Sequence, residues 1–402
     1  MTPNPGAPGA LDGLKVVEFA HIIAGPLAGV LMADLGATVV HVEDPGKGDP
    51  HRGAGPAKDG VHLWWKIANR NKRSVTLNLR TDQGRALALE LVAWADVVIT
   101  NFRVETLEKW GLDFASLNKV NAKIVMLQVT GFGATTSRRN EPGFGKVGEA
   151  MSGVVNITGF PDGPPVHAGF SHGDSATGLM GAFAIQAALY RKAHDPAFKG
   201  EWIDLALYET LFRLVEWQVV LHDQLGTVPE RIGNKLVVAP AAVVGLYRTA
   251  DDRWLTVTSG TPRSVMNVAS LVGEPPEDYA NRELQKKNSG RLDKLLGEWI
   301  GKRTLAQCME TIRALEVVAA PIYTMDDIVR DETYRENKSI VTVEDPELGA
   351  MRMQGVVPRM VNHAGSVWRT APRLGEDNEL VYREWIGKSE EEMLALRRDG
   401  HI

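Results

Sequence analysis

Residues 14–43, LKVVEFAHIIAGPLAGVLMADLGATVVHVE, decide the fold. Leu14–Phe19 (LKVVEF) reads as a buried strand, Pro26–Leu35 as a helix opened by proline, and Thr38–Glu43 (TVVHVE) as a second strand. Two strands joined through a helix in so short a span form a βαβ unit, and that connection makes the strands parallel. Working outward, the alternation continues with a strand at Ser74–Leu79, a helix at Asp82–Ala95, and strands at Asp96–Phe102 and Ile124–Thr130. A long apolar helix is expected over Asp174–Ala193, a short strand at Glu201–Leu205 and a single helix over Leu207–Leu225. The pattern changes near residue 226. Gly245–Arg248 and Trp254–Thr258 read as strands around a polar turn at Asp251-Asp252, followed by helices near Ser264–Leu271, Gly290–Ile300 and Leu305–Leu315. Leu292, Leu295, Leu296 and Trp299 fall on one stripe of the second helix. Strand-like segments return at Ile340–Val343 and Met351–Met360.

The expectation is an α/β protein in two domains. A Rossmann-like large domain with a parallel sheet takes residues 1–225, a smaller α+β domain takes 226–325, and 326–402 return to complete the large one. The first nine residues read as a disordered tail, without the basic and apolar regions of a signal peptide.

Composition narrows the function. A net charge of −5 gives no global basic field and argues against nucleic acid as a partner. No apolar run is long enough to span a membrane. The single cysteine, Cys308, excludes an internal disulfide, and the ten histidines show no metal-ligand spacing. A cytoplasmic enzyme without metal is expected.

Three motifs compete for the chemistry. Gly143-Phe144-Gly145-Lys146-Val147-Gly148 matches GxGxxG, but Pro142 and a polar loop separate it from the preceding strand. A dinucleotide fingerprint must follow its strand directly. Gly169-Phe170-Ser171-His172-Gly173 matches the GxSxG elbow of serine hydrolases, which would make Ser171 a thioesterase nucleophile. The prolines at 164 and 165 weaken the strand that the elbow requires. Asp174-Ser175-Ala176-Thr177-Gly178 opens the long helix. In the plain structural reading Asp174 is a helix N-cap. In the functional reading the same helix end keeps its carboxylate ionised near neutrality, able to attack a carbonyl and form a covalent intermediate.

Several segments together resemble the family III CoA-transferases, which include formyl-CoA:oxalate CoA-transferase and, as cousins, the α-methylacyl-CoA racemases. They are residues 11–49, ANRNKRSVTLNLRTDQGR (68–85), ADVVITNFRVETLEKWGLD (95–113), VTGFG (129–133), EPGF (141–144) and GDSATGLMGAFAIQAALYRK (173–192), in the family's order. The resemblance implies that Asp174 is the catalytic aspartate. It implies that coenzyme A, as acyl-CoA substrate and not as a tightly bound cofactor, meets Asn71, Lys72, Arg73, Asn101, Phe102, Arg103 and Lys109. It also implies an interlocked homodimer, with the active site between subunits. The expected reaction moves CoA from a donor such as succinyl-CoA to a carboxylic acid through aspartyl anhydride and aspartyl-CoA thioester intermediates. A 2-methylacyl-CoA racemase or acyl-CoA isomerase is the alternative. Racemases carry a histidine–aspartate pair where this chain has Phe144 and Gly145, so α-proton exchange lacks its acid and base. Ile23 replaces a glutamine of the formyl-CoA transferases, and their glycine-rich lid is reduced to Thr258-Ser259-Gly260-Thr261, which makes oxalate a poor candidate acceptor.

Overall fold

The computed structural model describes residues 9–235 and 243–402, so the first eight of the nine residues expected to form a tail lie outside it. Six parallel strands form the central sheet: β1 (Lys15–Phe19), β2 (Thr38–Glu43), β3 (Arg73–Thr76), β4 (Val97–Thr100), β5 (Val125–Thr130) and β6 (Glu201–Ala206). Their order is β3-β2-β1-β4-β5-β6, a Rossmann-like arrangement in which connections run outward in both directions from the β1/β4 pair.

Both sheet faces are covered, which is why the central strands are buried at successive positions. Val16, Val39, Val97, Val125 and Leu127 pack beneath helix α1 (Ala24–Asp34) and the helix His172–His194. Val17, Val40, Val98 and Met126 face the other way, toward helix α2 (Asp82–Trp94) and the C-terminal Tyr382, Met393 and Leu396. The C-terminal segment also covers the free edge of β3. Asp377 accepts from the Ser74 N–H (2.9 Å), Asn378 accepts from the Thr76 N–H (2.9 Å), and the Tyr382 hydroxyl donates to the Thr76 carbonyl (2.9 Å). An edge satisfied this way is closed to pairing with another chain.

One compact unit takes the chain up to Val154, then His167–Gln218 and Thr333–Ile402; the other takes Val155–Val166 and Val219–Glu332. Residues 155–166, assigned from sequence to the large domain, thus belong to the smaller unit. The single helix expected over Leu207–Leu225 is broken into Leu207–Leu214 and Gln218–Leu225, with Glu216 in the left-handed region at φ 55° between them. In the smaller unit Val243–Arg248, Trp254–Ser259 and Ala319–Pro321 make an antiparallel sheet. Its core includes Leu292, Leu296 and Ile300 from the helix Arg282–Gly301. The stretch Thr258–Thr261 there is the end of a strand and the N-cap of the helix Pro262–Val272. Among the described residues no helix is long and apolar enough to cross a membrane.

A cluster of charges is buried inside the larger unit, under the start of α1. Glu18 of β1 is fully buried and accepts from the Lys72 ammonium (2.8 Å). Lys72, also fully buried, donates in addition to the Pro26 carbonyl (2.7 Å) and to Asn69 Oδ1 (2.9 Å). His41 Nδ1 lies 2.8 Å from Glu18 Oε2, and its Nε2 lies 3.3 Å from Asp49 Oδ2. Burial alone would push the imidazole down, but the carboxylates of Asp49 and Glu18 on either side hold it up at about 9. Breaking a buried pair leaves an uncompensated charge, at a cost of about 3–5 kcal/mol. Lys72→Ala is therefore expected to lower the urea midpoint markedly. Arg80→Ala, which removes an exposed pair with Asp44, is expected to leave it nearly unchanged. Equal midpoints for the two variants would contradict this account.

Candidate active site

Strand order reverses between β1 and β4, and the loops beyond their C-terminal ends part there to leave a crevice. A cleft of about 240 Å³ opens at this point. Its walls are His21–Ala24 after β1, Asn101–Arg103 after β4, Val129–Gly131 at the end of β5, the loop around Glu141–Phe144, and Asp174.

The β1 wall is held in a conformation it would not choose alone. Ile22 has φ 68°, a left-handed backbone that costs a β-branched residue on the order of 1–3 kcal/mol. Both oxygens of Asp49 accept from the Ile22 N–H (3.1 Å each), and His51 Nδ1 lies 2.8 Å from the Ile22 carbonyl. Asp49 is the same carboxylate that faces His41. Burial would push it up, but His41 and its backbone donors keep it well below the usual carboxylate range. Asn101 braces the other side: its Oδ1 accepts from the His21 N–H (2.9 Å) and its Nδ2 donates to the His21 carbonyl (2.7 Å). Phe102 meets the His21 ring edge-on at 4.8 Å. Burial lowers the His21 pKa, so a neutral imidazole faces the cleft near neutral pH.

Asp174 comes from the helix α5 (His172–His194). The helix starts two residues earlier than the sequence suggested, with Ser171 as N-cap, so Asp174 lies within the first turn. Its carboxyl makes no hydrogen bond among the described residues. Gly145, at the start of the helix α4 (Gly145–Met151), lies directly against it: a Cβ there would come within 2.6 Å of Asp174 Cγ. Burial, with help from the nearby Glu149 charge and against Lys146, raises Asp174 to about 6. The carboxyl is therefore mostly ionised at neutral pH, more basic than an ordinary aspartate, and open to the cleft.

The other two motifs have structural roles. The three glycines of GxGxxG permit close packing: Gly143 against Gly131, Gly145 against Asp174, and Gly148 against Leu207. They do not sit at the first turn after a strand. No strand is found among residues 155–171, which leaves GxSxG without the strand-turn-helix context of a nucleophile elbow.

Of the residues expected to meet CoA, Asn101, Phe102 and Arg103 line the cleft with Asp174. Asn71 is buried at φ 62°, donating to Asp34 and Ser366 and accepting from the Trp368 N–H; it fixes the returning chain. Arg73 pairs with Asp377 (3.0 Å) and stacks on Trp368. The expectation that Lys72 meets coenzyme A needs correction, because its ammonium is fully buried and bonded to three internal acceptors. Lys109 is exposed on the last turn of helix α3 (Val104–Trp110) and is not among the residues that line the cleft. The sequence reading missed Glu149, Lys146, His21 and the Asp49 clamp on Ile22. Lys146 lies inside the GxGxxG match and His21 and Asp49 inside the resembling stretch 11–49, but the roles of all four arise only from contacts across elements.

The model of CoA-transferase family III matches residues 11–378. The chain is 37% identical to succinyl-CoA–D-citramalate CoA-transferase of Chloroflexus aurantiacus, over 97% of both chains. It is 32% identical to succinate–glutarate CoA-transferase of Agrobacterium fabrum, over 96% of this chain and 98% of that one. Among solved structures, a CaiB/BaiF family protein from Brucella suis superposes with a TM-score of 0.82 at 31% identity, covering 94% of this chain and all of that one.

The raised Asp174 pKa has a consequence for stability. Between its ordinary value of 3.8 and about 6 the folded chain holds this proton more tightly than the unfolded chain does. The contribution of this group to stability therefore falls as pH rises through that window, and stays low above it. Asp174→Asn is expected to melt ~2 °C above the wild type at pH 8 and to match it below about pH 4. A variant that melts at or below the wild type at pH 8 would contradict the burial of an uncompensated carboxylate.

Proposed function

Because the chain belongs to CoA-transferase family III, and is thus an enzyme that uses CoA thioesters, we propose that it moves CoA from succinyl-CoA to a second carboxylic acid with Asp174 as the covalent nucleophile. The observation that carries this reading is the Asp174 carboxylate itself: unbonded, partly buried, basic for an aspartate, and facing a cleft at the switch point of the sheet. A carboxylate used only as a helix cap would be bonded to backbone N–H groups.

In the proposed sequence a carboxylate oxygen of Asp174 attacks the thioester carbonyl of the donor, and the C–S bond breaks. This gives a mixed anhydride between Asp174 and the acyl group, with free CoA thiolate. The thiolate attacks the aspartyl carbonyl, releasing the donor acid with one oxygen from Asp174 and leaving an aspartyl-CoA thioester. The acceptor carboxylate then attacks this thioester and forms a second anhydride. Thiolate returns to the acceptor carbonyl, and Asp174 is regenerated carrying one oxygen from the acceptor. No proton has to be moved at carbon, which suits the apolar Phe144 and Gly145 beside the nucleophile.

Phe102 supplies an apolar surface and Arg103 an exposed cation for the nucleotide end of CoA, with Lys109 as a second exposed cation on the helix that follows. Asn71, Lys72 and Arg73 are left out of the proposal, since their polar groups are engaged elsewhere. Relatives that act on citramalate and glutarate make a dicarboxylic acid the acceptor class. The reading also carries a cytoplasmic, interlocked homodimer. In support, the chain leaves its larger unit after Gln218 and returns to it at Thr333, as threading requires, and Leu179, Phe183 and Tyr190 of α5 are large apolar side chains exposed in the single chain.

The test is a panel of dicarboxylic acids offered with succinyl-CoA to the wild type, Asp174→Ala and Ser171→Ala, with product thioesters read by mass spectrometry. Transfer is expected for the wild type and for Ser171→Ala, and a loss of at least about a thousandfold for Asp174→Ala with its secondary structure by circular dichroism unchanged. Activity lost in Ser171→Ala and kept in Asp174→Ala would overturn the reading in favour of a serine thioesterase.

A further inference from the structure

The mechanism above leaves one buried charge next to the nucleophile unexplained. Glu149 lies on α4 with its side chain 1% exposed. Oε1 accepts from the Gly173 N–H (3.0 Å), the residue immediately before Asp174. Lys146 Nζ donates to both oxygens (3.0 and 2.9 Å), and His167 Nδ1 lies 2.7 Å from Oε2. Lys146 further donates to the Ala168 and Phe170 carbonyls (3.0 Å each), which ties the chain entering α5 to the same carboxylate. Burying one carboxylate close to another is unfavourable. A glutamine at 149 could accept from Gly173 and Lys146 without that repulsion, so the charge itself calls for a role.

We propose that Glu149 is a positioning residue for Asp174, fixing the first turn of α5 through the Gly173 N–H and making the neighbouring carboxylate a stronger nucleophile through its own negative charge. The proposal rests on Asp174 being the nucleophile, and it adds what sets that group's place and basicity. The charged groups that act on Asp174 are Glu149 and Lys146 of α4; His21 after β1, Arg103 after β4, and Arg139 and Glu141 from the loop before α4 line the same cleft. Of these, Glu149 raises the Asp174 pKa and Lys146 lowers it. Glu149 is itself kept ionised: burial pushes it up, but Lys146, the Gly173 N–H and His167 outweigh that and bring it below its ordinary value. Nucleophilic strength follows basicity, provided the group remains ionised at the working pH.

The test compares wild type, Glu149→Gln and Glu149→Ala as full-length proteins, measuring kcat and KM for succinyl-CoA from about pH 4.5 to 9. Glu149→Gln retains an acceptor for Gly173 but loses the charge. Its kcat at pH 8 is expected to fall about three- to tenfold, with KM within about twofold, and the acid limb of kcat to move about half a unit or more to lower pH. Glu149→Ala loses both functions and is expected to lower kcat about a hundredfold at every pH, again with little change in KM. An unshifted acid limb in Glu149→Gln overturns the proposal, and that variant decides even if Glu149→Ala fails to fold. Asp174→Ala, assayed alongside, separates the two claims. If it retains transfer activity, the nucleophile assignment falls; if it is inactive while Glu149→Gln keeps the wild-type limb, only the role of Glu149 falls.

Discussion

A carboxylate buried in the middle of a parallel sheet is the constraint from which the site follows. Glu18 takes a strand position that would ordinarily be apolar, and Lys72 and His41 are brought to its buried carboxylate as partners. His41, protonated by its two acidic neighbours, in turn fixes Asp49, and Asp49 holds the backbone of Ile22 in a left-handed turn. The strain at Ile22 is thus opposed by charge-assisted bonds anchored in the sheet. The His21–Ala24 wall of the cleft inherits the rigidity of β1 and β2. Such a network is unforgiving, since removing one member leaves another charge without compensation in a medium that solvates it poorly.

The opposite wall is built by close approach. Gly145 has no side chain, so α4 can lie against the carboxyl of Asp174, and Gly143 lets the loop before α4 pass over Gly131 at the end of β5. The same approach brings Glu149 within reach of the first turn of α5. One wall is therefore set by buried charge and the other by missing side chains. The nucleophile stands between them with its carboxyl unbonded, and an unbonded, partly desolvated carboxylate is more basic than a capped one.

The sheet was legible because covered parallel strands leave a strong mark. VVEF, TVVHVE and VVIT are rich in valine and buried at nearly every position, and the expected strand Thr38–Glu43 matches the observed one residue for residue. The break at Glu216 was not legible, because Leu207–Leu225 keeps a helical composition through the kink and only a backbone angle marks it. In the site, Asp174 and the Asn101–Arg103 turn could be identified because each lies in a contiguous segment with a family resemblance. Lys72 lies in an equally distinctive segment, NKR, yet its ammonium points into the protein, and sequence does not distinguish a buried lysine with partners from an exposed one. Glu149 was invisible for the opposite reason, since its partners at 146, 167 and 173 form no pattern along the chain.

The central claim is that the Asp174 carboxylate becomes covalently bonded during turnover, and oxygen labelling tests it most directly. In the proposed sequence each turnover replaces an Asp174 oxygen with one from the acceptor. Turnover of succinyl-CoA with an acceptor dicarboxylate labelled with ¹⁸O in its carboxyl groups, followed by proteolysis and mass spectrometry, should show ¹⁸O in the peptide that contains Asp174 and in the released succinate. Product formed at the full rate with no label in that peptide would contradict the account.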